Sequence, residues 1–568
     1  MRLKMKKLEQ WLDRQTGTVW FACFFNVAVL AVMLLLLRPA FETNDDISVS
    51  MVANGSWGTG NAHIICQNYL LGVWYTVLYH IGHGSIPWYG ISQYVFLCMA
   101  MSAVTYVLFQ RLKKEQAFLI NGILLIYFGY ECYIRIQYSK TAGVLLAAGA
   151  FLLFYELEKE KATWYGILLG IFLGVTGSLY RFEEAAICCL LIAGIGLYFL
   201  LDAGRWGRQK KKKLFLMFGS FGMMGALMLG CEILDRQIYA SSPEWAFFAK
   251  YNDCRSDLTD YSLPDYETDR ALYDELGITE TAYGLLKEGL NFYDTDVFSL
   301  DHMETLDAAR PKNNLSKALV MNFLKEYPIG YAGIPVFLGF LTFVFLWICW
   351  GEHRWKVWLT AGYEILAMGL IDFYLYYQGR YLKNRVEVAL WFSISLVVIW
   401  FCHARKLQIT RRAALLAVAC ILIANQSTWK NRWSVLTVQK EIDKEYLRGI
   451  YQDAKDLDPD GLILAKIPTI TYTMYDVLDS VPQGTFENII WLGGWEMQNP
   501  IWIEKLAEYG ITNPYRDLIN NEHVYLVDDN IKLTLKYIRE YYAEDVEAEQ
   551  LQDNGRWQVY QLKADSLK

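Results

Sequence analysis

The chain has 568 residues, of which 54% are hydrophobic and 20% charged, and its formal net charge is -7. This balance excludes a disordered protein, a disulfide-rich secreted module and a nucleic-acid binder that acts through bulk positive charge. Because the apolar residues fall into long blocks separated by charged stretches, the composition indicates a polytopic membrane protein with large water-exposed parts.

Eleven apolar segments have the length of a membrane span, since a bilayer core of about 30 Å needs about 20 apolar residues per helix. The third segment is interrupted by Glu131, and the ninth contains Glu364 and Asp372. The predicted spans lie near residues 18–38, 87–110, 116–134, 140–156, 163–180, 184–202, 213–234, 328–350, 356–377, 385–403 and 412–427.

Basic residues in the short loops predict the orientation of these spans. Lys and Arg collect at the N-terminus and after the second, fourth, sixth, eighth and tenth spans. With eleven spans all these clusters fall on one side, which is the cytoplasmic side by the positive-inside rule. We therefore predict a cytoplasmic N-terminus and an extracytoplasmic C-terminus.

The long polar segments then lie outside the cell. We predict a membrane domain over 1–427, with external loops 39–86 and 235–327, and an extracytoplasmic α/β domain over 428–568. The α/β assignment rests on three strand-like and two helix-like segments of the tail. The strands are expected at 461–467, 523–527 and 557–562, and the helices at 501–510 and 531–542.

An acidic cluster opens the first external loop. Asn44, Asp45 and Asp46 follow the first span by about six residues. A carboxylate pair at a membrane surface is electrostatically costly unless it is solvated or binds a cation or a substrate. The same residue types are also favoured in turns and at helix N-caps, so two readings remain open at this point.

This arrangement of acids, spans and tail resembles the GT-C glycosyltransferases, and the match covers about residues 1–427. The class includes the protein O-mannosyltransferases, the aminoarabinose transferases of lipid A and the bacterial glucosyltransferases of O-antigen modification. The resemblance implies transfer of a sugar from a polyprenyl-phosphate donor to an extracytoplasmic glycan, lipid or protein, in a bacterial plasma membrane. It also implies a catalytic role for Asp45 or Asp46, which would hold a divalent ion such as Mg or Mn if one is needed.

A helix in the first loop supports the same architecture. Leu70, Val73, Trp74, Val77, Leu78 and Ile81 repeat at helical spacing. This pattern predicts an amphipathic helix in the membrane interface, a feature that GT-C proteins share. A packing helix with no role in chemistry is the alternative.

Further polar residues are candidate substrate contacts at the external ends of the spans. Arg181, Arg380 and Arg385 run against the positive-inside bias and are suited to a lipid phosphate, although cations that snorkel to the headgroups give the same pattern. Asn44, His63 and Glu183 complete the predicted substrate-binding set; Glu183 is also placed to pair with Arg181, and His63 to lie in the interface.

Two other functions fit parts of the sequence. A flippase or transporter for a lipid-linked glycan would predict internal repeats and broken helices. A non-enzymatic membrane assembly protein would use the acidic loop and the tail to bind a partner. In the transferase reading, one carboxylate accepts the proton of the acceptor hydroxyl and the arginines neutralise the leaving phosphate.

Overall fold

The computed structural model describes residues 16–82, 84–289, 293–330, 334–380, 383–402, 412–423, 455–466, 475–555 and 557–568, with isolated positions between 410 and 452. Helices predominate in this part of the chain. Those that coincide with the predicted spans are Val19–Leu36, Trp88–Arg111, Lys114–Tyr133, Tyr138–Glu158, Trp164–Tyr180, Phe182–Leu201, Lys210–Ala240, Pro335–Trp350, Trp355–Tyr377, Asn384–Trp400 and Arg412–Ile423.

Each of the eleven predicted spans therefore falls on a helix. By length and composition, five of these helices are long and apolar enough to cross a membrane, and three shorter ones are also apolar. The helical fold class is confirmed, and these apolar helices agree with the predicted multi-pass membrane protein. The count of eleven spans and the orientation of the termini stay predictions.

Burial separates the centre of the bundle from its surface. Helix Tyr138–Glu158 is buried along nearly its whole length, whereas Val19–Leu36 exposes most of its apolar side chains. Glycine permits the close packing at the centre, because a Cβ on Gly149 would come within 2.5 Å of the Gly170 carbonyl oxygen. Small residues at helix contacts are the usual solution in a membrane bundle.

The first external loop is attached to the junction between the third and fourth of these helices. Strands Ala40–Phe41 and Arg135–Ile136 pair in parallel, and the Glu42 amide donates to the Ile136 carbonyl at 2.9 Å. Lys140, at the start of the fourth helix, pairs with the carboxylates of Glu131 and Glu42. This buried ion cluster fixes the loop two residues before its acidic segment.

The rest of the loop is mostly helical. Asn44–Asn54 is a helix that ends at Gly55, whose φ of 81° is the left-handed conformation that glycine adopts without strain. The predicted amphipathic helix is Tyr69–His80. Its apolar stripe, including Val73, Trp74 and Val77, is exposed, as expected for a helix in the lipid interface.

The large external loop consists of short helices rather than a linker. The loop helices are Pro243–Asp260, Arg270–Glu275, Glu280–Lys287, Leu300–Ala308 and Lys317–Gly330. They follow the long helix Lys210–Ala240, which is itself preceded by the 3-10 helix Ala203–Gln209.

The tail contains a five-stranded mixed sheet with helices. The spatial order is Ile489–Trp491, Leu462–Ala465, Val524–Asp528, Gln558–Lys563 and Glu547–Asp553; the first three are parallel and the last two antiparallel. All three predicted strands and both predicted helices are present. Two strands escaped prediction: Ile489–Trp491 is only three residues long, and Glu547–Asp553 is a polar edge strand without an apolar alternation. The helices are Pro500–Glu508, Pro514–Asp517 and Ile531–Tyr541.

The tail packs directly on the first loop. The amides of Gly484 and Phe486 donate to the carbonyls of Gly55 and Ser56 at 2.9 and 2.8 Å. Beside them the ring of Trp57 lies edge-on against Trp491 and Trp502. The sequence boundary near residue 428 lies outside the described residues and stays a prediction, but the two flanking parts share one interface.

Candidate functional site

A cavity of about 1140 Å³ lies where the first loop, the ends of the bundle helices, the large external loop and the tail meet. It has room for a phosphate group and more than one sugar residue, because drug-sized ligands occupy pockets of about 300–1,000 Å³. Charged and polar side chains from all four parts of the chain line it.

The first loop contributes the first turn of its helix Asn44–Asn54. Asn44, Asp45 and Ser48 line the cavity, and Ser48 follows Asp45 by three residues, which places both on one face of the helix. The Asp45 carboxylate accepts a hydrogen bond from the Thr43 hydroxyl at 3.3 Å. Both readings of the acidic cluster therefore apply, because the acids occupy a helix N-terminus that favours negative charge and one of them also faces the cavity.

Asp46 points the other way, into the protein. It is fully buried, and its Oδ1 accepts hydrogen bonds from the Tyr89 hydroxyl at 2.8 Å, the Gln93 amide at 3.2 Å and the Tyr138 backbone N–H at 3.1 Å. Its Oδ2 is buried with no hydrogen-bond partner among the described residues. Burial raises the pKa of Asp46 to about 7 despite these hydrogen bonds. The two neighbouring acids thus have different environments: Asp45 faces the cavity, and Asp46 anchors the helix beneath it.

Arginines from three parts of the chain face the same cavity. Arg181 lies between two bundle helices, and its Nη1 donates to the Ser139 hydroxyl at 2.8 Å. Arg385 also lines the cavity, and its buried Nε has no hydrogen-bond partner among the described residues. Arg255 joins them from helix Pro243–Asp260, with its Nε bound to the Asn252 side chain. Such a cluster suits an anion with several oxygens, because each guanidinium offers five donors.

Arg380 reaches the cavity too, but it is already part of an ion pair. Its guanidinium and the Lys383 ammonium both contact the Asp260 carboxylate, the latter at 3.0 Å. Burial alone would raise the pKa of Asp260, but the hydrogen bond from Lys383 and the charge of Arg380 hold it below its usual value. An anionic ligand would therefore compete with Asp260 for Arg380, whereas the Nε of Arg385 makes no hydrogen bond to a described residue.

The tail closes the cavity from the outside. Lys466, Trp491, Trp495, Glu496 and the turn after Val524–Asp528 are among the lining residues. Glu496 is only 3% exposed and lines the cavity together with Ser48 of the first loop. Burial, and secondarily the charge of Asp45, raises the pKa of Glu496 to about 7.

The structure brings together five of the eight residues predicted for the site. Asn44, Asp45, Arg181, Arg380 and Arg385 all line the cavity, whereas Asp46, His63 and Glu183 do not. The lining set was not complete in the prediction, since it lacked Ser48, Arg255, Asp260, Lys466 and Glu496.

The histidine and the glutamate have structural surroundings instead. His63 stacks on Trp245 with ring centroids 4.1 Å apart, and burial lowers its pKa to about 4, so it packs as a neutral ring. Glu183 is exposed in the first turn of helix Phe182–Leu201. The helix dipole stabilises a negative charge at this position.

The five lining residues named above as absent from the prediction share one property: none lies at the end of a predicted span. Lys466 and Glu496 belong to the tail, where Glu496 ends the run Trp491-Leu-Gly-Gly-Trp-Glu. Two glycines between tryptophans mark a place where the backbone approaches another group closely, and this is the signal that the sequence offered.

The described donors do not assemble a metal site. Among the described residues, no group of three or more His, Cys, Asp or Glu side chains is close enough to hold a metal ion. Asp46, one of the two acids expected to bind an ion, directs its Oδ1 at three hydrogen-bond donors, and Asp45 faces a cavity lined by arginines. The Mg or Mn ion suggested from sequence therefore enters no step below.

Comparison with known proteins gives one structural likeness. No protein-family model and no curated protein matches the chain. Its structure is similar to the crystal structure of ArnT from Cupriavidus metallidurans bound to undecaprenyl phosphate, over 96% of this chain and 98% of that chain, with 11% identity and a TM-score of 0.40. This likeness agrees with the resemblance to the GT-C glycosyltransferases expected from sequence, but at this TM-score it assigns neither a family nor an activity to the chain. At this identity the likeness concerns the course of the chain and assigns no residue of the site.

Proposed function

We propose that the protein is a membrane glycosyltransferase that moves a sugar from a polyprenyl-phosphate donor to an acceptor outside the cytoplasm. The observation that carries the proposal is the cavity in which the carboxylate of Asp45 and the guanidinium of Arg385 face the same space. A transfer from a sugar phosphate needs both groups, one for the acceptor proton and one for the phosphate.

Asp45 is the general base in this proposal. Its carboxylate accepts the proton of the acceptor hydroxyl while the acceptor oxygen forms a bond to the anomeric carbon. The bond from that carbon to the phosphate oxygen breaks, and its electron pair leaves with the polyprenyl phosphate. Asp46 holds the helix through its three hydrogen bonds and does not meet the substrate. The different surroundings of the two acids support Asp45 over Asp46 as the base in this proposal.

The arginines act on the phosphate. Charge grows on the phosphate oxygens as the anomeric bond breaks, and preorganised donors aimed at such charge lower the barrier. Arg385 is suited to this task because its Nε is buried and lacks a partner among the described residues. Arg181 is oriented by its hydrogen bond to Ser139, which limits the reorganisation needed on binding.

The position of the cavity agrees with a lipid-linked donor. The amphipathic helix Tyr69–His80 exposes Val73, Trp74 and Val77 beside the loop that contains Asp45, and these side chains suit a membrane interface. The polyprenyl chain would remain in the bilayer while its phosphate enters the cavity. We place the protein in a bacterial plasma membrane, with its N-terminus cytoplasmic and the cavity on the outer side.

Sugar transfer by purified protein tests the proposal. The assay supplies decaprenyl phosphate linked to glucose, mannose or arabinose and measures release of decaprenyl phosphate with a mixture of glycan and lipid acceptors. We expect Asp45→Asn to lower turnover by about 10²-fold or more, as for lost general-base help. Asp46→Asn should lower it less, and Glu267→Gln, which changes an exposed acid of the large loop, should not change it.

Two outcomes would contradict the assignment. Wild-type turnover in Asp45→Asn would remove Asp45 as the base. Movement of the lipid-linked sugar across proteoliposome membranes, without release of decaprenyl phosphate, would favour the flippase instead. Thermal stability measured in parallel separates a chemical defect from unfolding.

A further inference from the structure

The proposed mechanism assigns no role to the side of the cavity that the tail contributes. This side is formed by Trp491, Gly493, Gly494, Trp495 and Glu496, which we name the 491–496 wall. It follows directly after strand Ile489–Trp491, so the sheet of the tail fixes its start. Its members are aromatic rings, bare backbone and one carboxylate, with no cation to receive a phosphate.

The Glu496 carboxylate lies against the backbone of its own turn. The backbone of Gly494 is so close that a Cβ there would come within 2.7 Å of Glu496 Oε2. Gly494 also has a φ of 97°, which an L side chain rarely adopts. The carboxylate is therefore fixed at the cavity surface although almost none of it reaches bulk water.

The shared cavity relates Glu496 to the proposed base, because Asp45, Ser48 and Glu496 all line it. Ser48 follows Asp45 by one helical turn, and side chains at this spacing have Cβ atoms about 5–6 Å apart. The charges of Asp45 and of Arg255 both act on Glu496, which agrees with a short separation. A sugar whose anomeric carbon lies near Asp45 would present its ring hydroxyls to Glu496.

The chemistry of the wall suits a sugar ring rather than a phosphate or a lipid chain. A carboxylate accepts hydrogen bonds from hydroxyl groups and, when protonated, donates one. Trp495 is half-buried and Trp491 is buried, with its ring held by an edge-on contact with Trp57, and both residues line the cavity. Pockets for small polar ligands combine such aromatic surfaces with a few fixed polar groups.

We infer that the 491–496 wall is the sugar-binding side of the cavity and that Glu496 binds hydroxyl groups of the sugar that is transferred. The inference rests on the proposed function and adds a specificity residue to it. Two parts of the chain then divide the donor between them: the bundle arginines bind the phosphate, and the tail binds the sugar. A site on the first loop alone would be incomplete.

Equilibrium binding to the full-length protein in lipid nanodiscs tests this division. Two probes are used: decaprenyl phosphate, which has no sugar, and decaprenyl phosphate linked to glucose, mannose or arabinose, whichever the wild type binds most tightly. We expect Glu496→Gln to weaken the sugar-linked probe by about tenfold or more, because hydrogen bonds to a charged group are lost. Its affinity for decaprenyl phosphate should stay within about twofold of wild type.

Three further variants make the result specific. Gly494→Ala displaces the Glu496 carboxylate without changing its charge and should reproduce the loss for the sugar-linked probe. Arg385→Ala should weaken both probes, because it acts on the phosphate. Glu504→Gln, an exposed acid of the tail outside the cavity, is the matched control and should change neither.

The outcomes separate the inference from the proposed function. If Glu496→Gln weakens both probes equally, or neither, while Arg385→Ala weakens both, the sugar-binding wall is wrong and the phosphate site stands. If the wild type binds neither probe, the proposed function fails and the wall with it. A loss confined to the sugar-linked probe, with wild-type thermal stability, supports the inference.

Discussion

Replacement of Gly90 by alanine tests the contact between the bundle and the tail. Gly90 lies in the first turn of helix Trp88–Arg111, and a Cβ at this position would lie 2.1 Å from the Val477 carbonyl oxygen. Ordinary contacts of a Cβ begin at 3.4 Å, so the difference requires a shift of about 1.3 Å of backbone. The tail segment that contains Val477 must therefore move away from the helix.

The expected magnitude follows from two opposing effects. Alanine gains up to about 1 kcal/mol over glycine in a helix. An overpacked contact costs about 1–3 kcal/mol, and a backbone carbonyl yields less easily than a flexible side chain. We therefore expect Gly90→Ala to lower the free energy of unfolding by about 1–2 kcal/mol, which corresponds to a drop of a few degrees in Tm.

The matched control is Gly362→Ala. Gly362 lies inside helix Trp355–Tyr377, and a Cβ there would meet nothing within 4 Å, so only the gain in helix propensity should remain. Thermal unfolding of both variants in detergent measures the difference, and sugar transfer reports whether the tail still closes the cavity. Equal or higher stability of Gly90→Ala relative to Gly362→Ala would refute the packing of Val477 on this helix.

Three other predictions concern charge and orientation. The pKa of Asp46 rises from 3.8 to about 7 on folding. Its contribution to stability is therefore complete below about pH 4 and is lost as the pH rises through 7. We expect Tm to fall over this range, and we expect Asp46→Asn to reduce that fall. Lys140→Met removes the cation between Glu131 and Glu42 and should cost about 3–5 kcal/mol, whereas Lys532→Met on the exposed face of a tail helix should cost little; equal Tm values for the two would contradict the buried cluster. A single cysteine at Lys211 should react with an impermeant label only after permeabilisation, and one at Glu267 should react from outside; the reverse pattern would overturn the orientation.

The bundle end of the site was predictable because its residues lie at the ends of apolar segments. Asp45, Arg181 and Arg385 each lie at the end of a predicted span or shortly beyond it, on the same predicted side of the membrane. Alternate ends of consecutive spans meet at one membrane face, so sequence alone places these side chains in one layer. In the structure these three side chains line one cavity.

The choice between Asp45 and Asp46 was not predictable by the same reasoning. Consecutive side chains on a helix point about 100° apart, so one of two adjacent acids faces the cavity and the other the protein. Which one does so depends on where the helix begins and how it is rotated. The strand pair with Arg135–Ile136 and the hydrogen bond from the Tyr138 amide set that rotation, and both partners lie about 90 residues away in sequence.

Glu496 escaped prediction for a related reason. Its neighbour Ser48 lies far away along the chain, and the contact depends on the docking of the tail through Gly55 and Gly484. No periodicity of apolar residues reports such a contact, because backbone hydrogen bonds between loops leave no pattern in side-chain type. The sheet of the tail was predictable from its strands, but the surface it turns towards the membrane was not.

The hydrogen bond between Gly484 and Gly55 can form only late in synthesis, because its two residues are far apart along the chain. Ribosomes add about 5–20 residues per second, so the partner of Gly55 emerges roughly 20–90 s after Gly55 itself. We expect the nascent chain to insert its helices and expose Asp45 long before the tail can cover it, and protease protection of the first loop in chains arrested before residue 484 would measure this interval. Until residue 484 emerges, Asp45 and those arginines that have already been synthesised lack the tail side of the cavity, so a donor lipid that arrives early meets an incomplete binding site. Completion of the last strand, rather than insertion of the last helix, marks the moment at which the protein is ready to work.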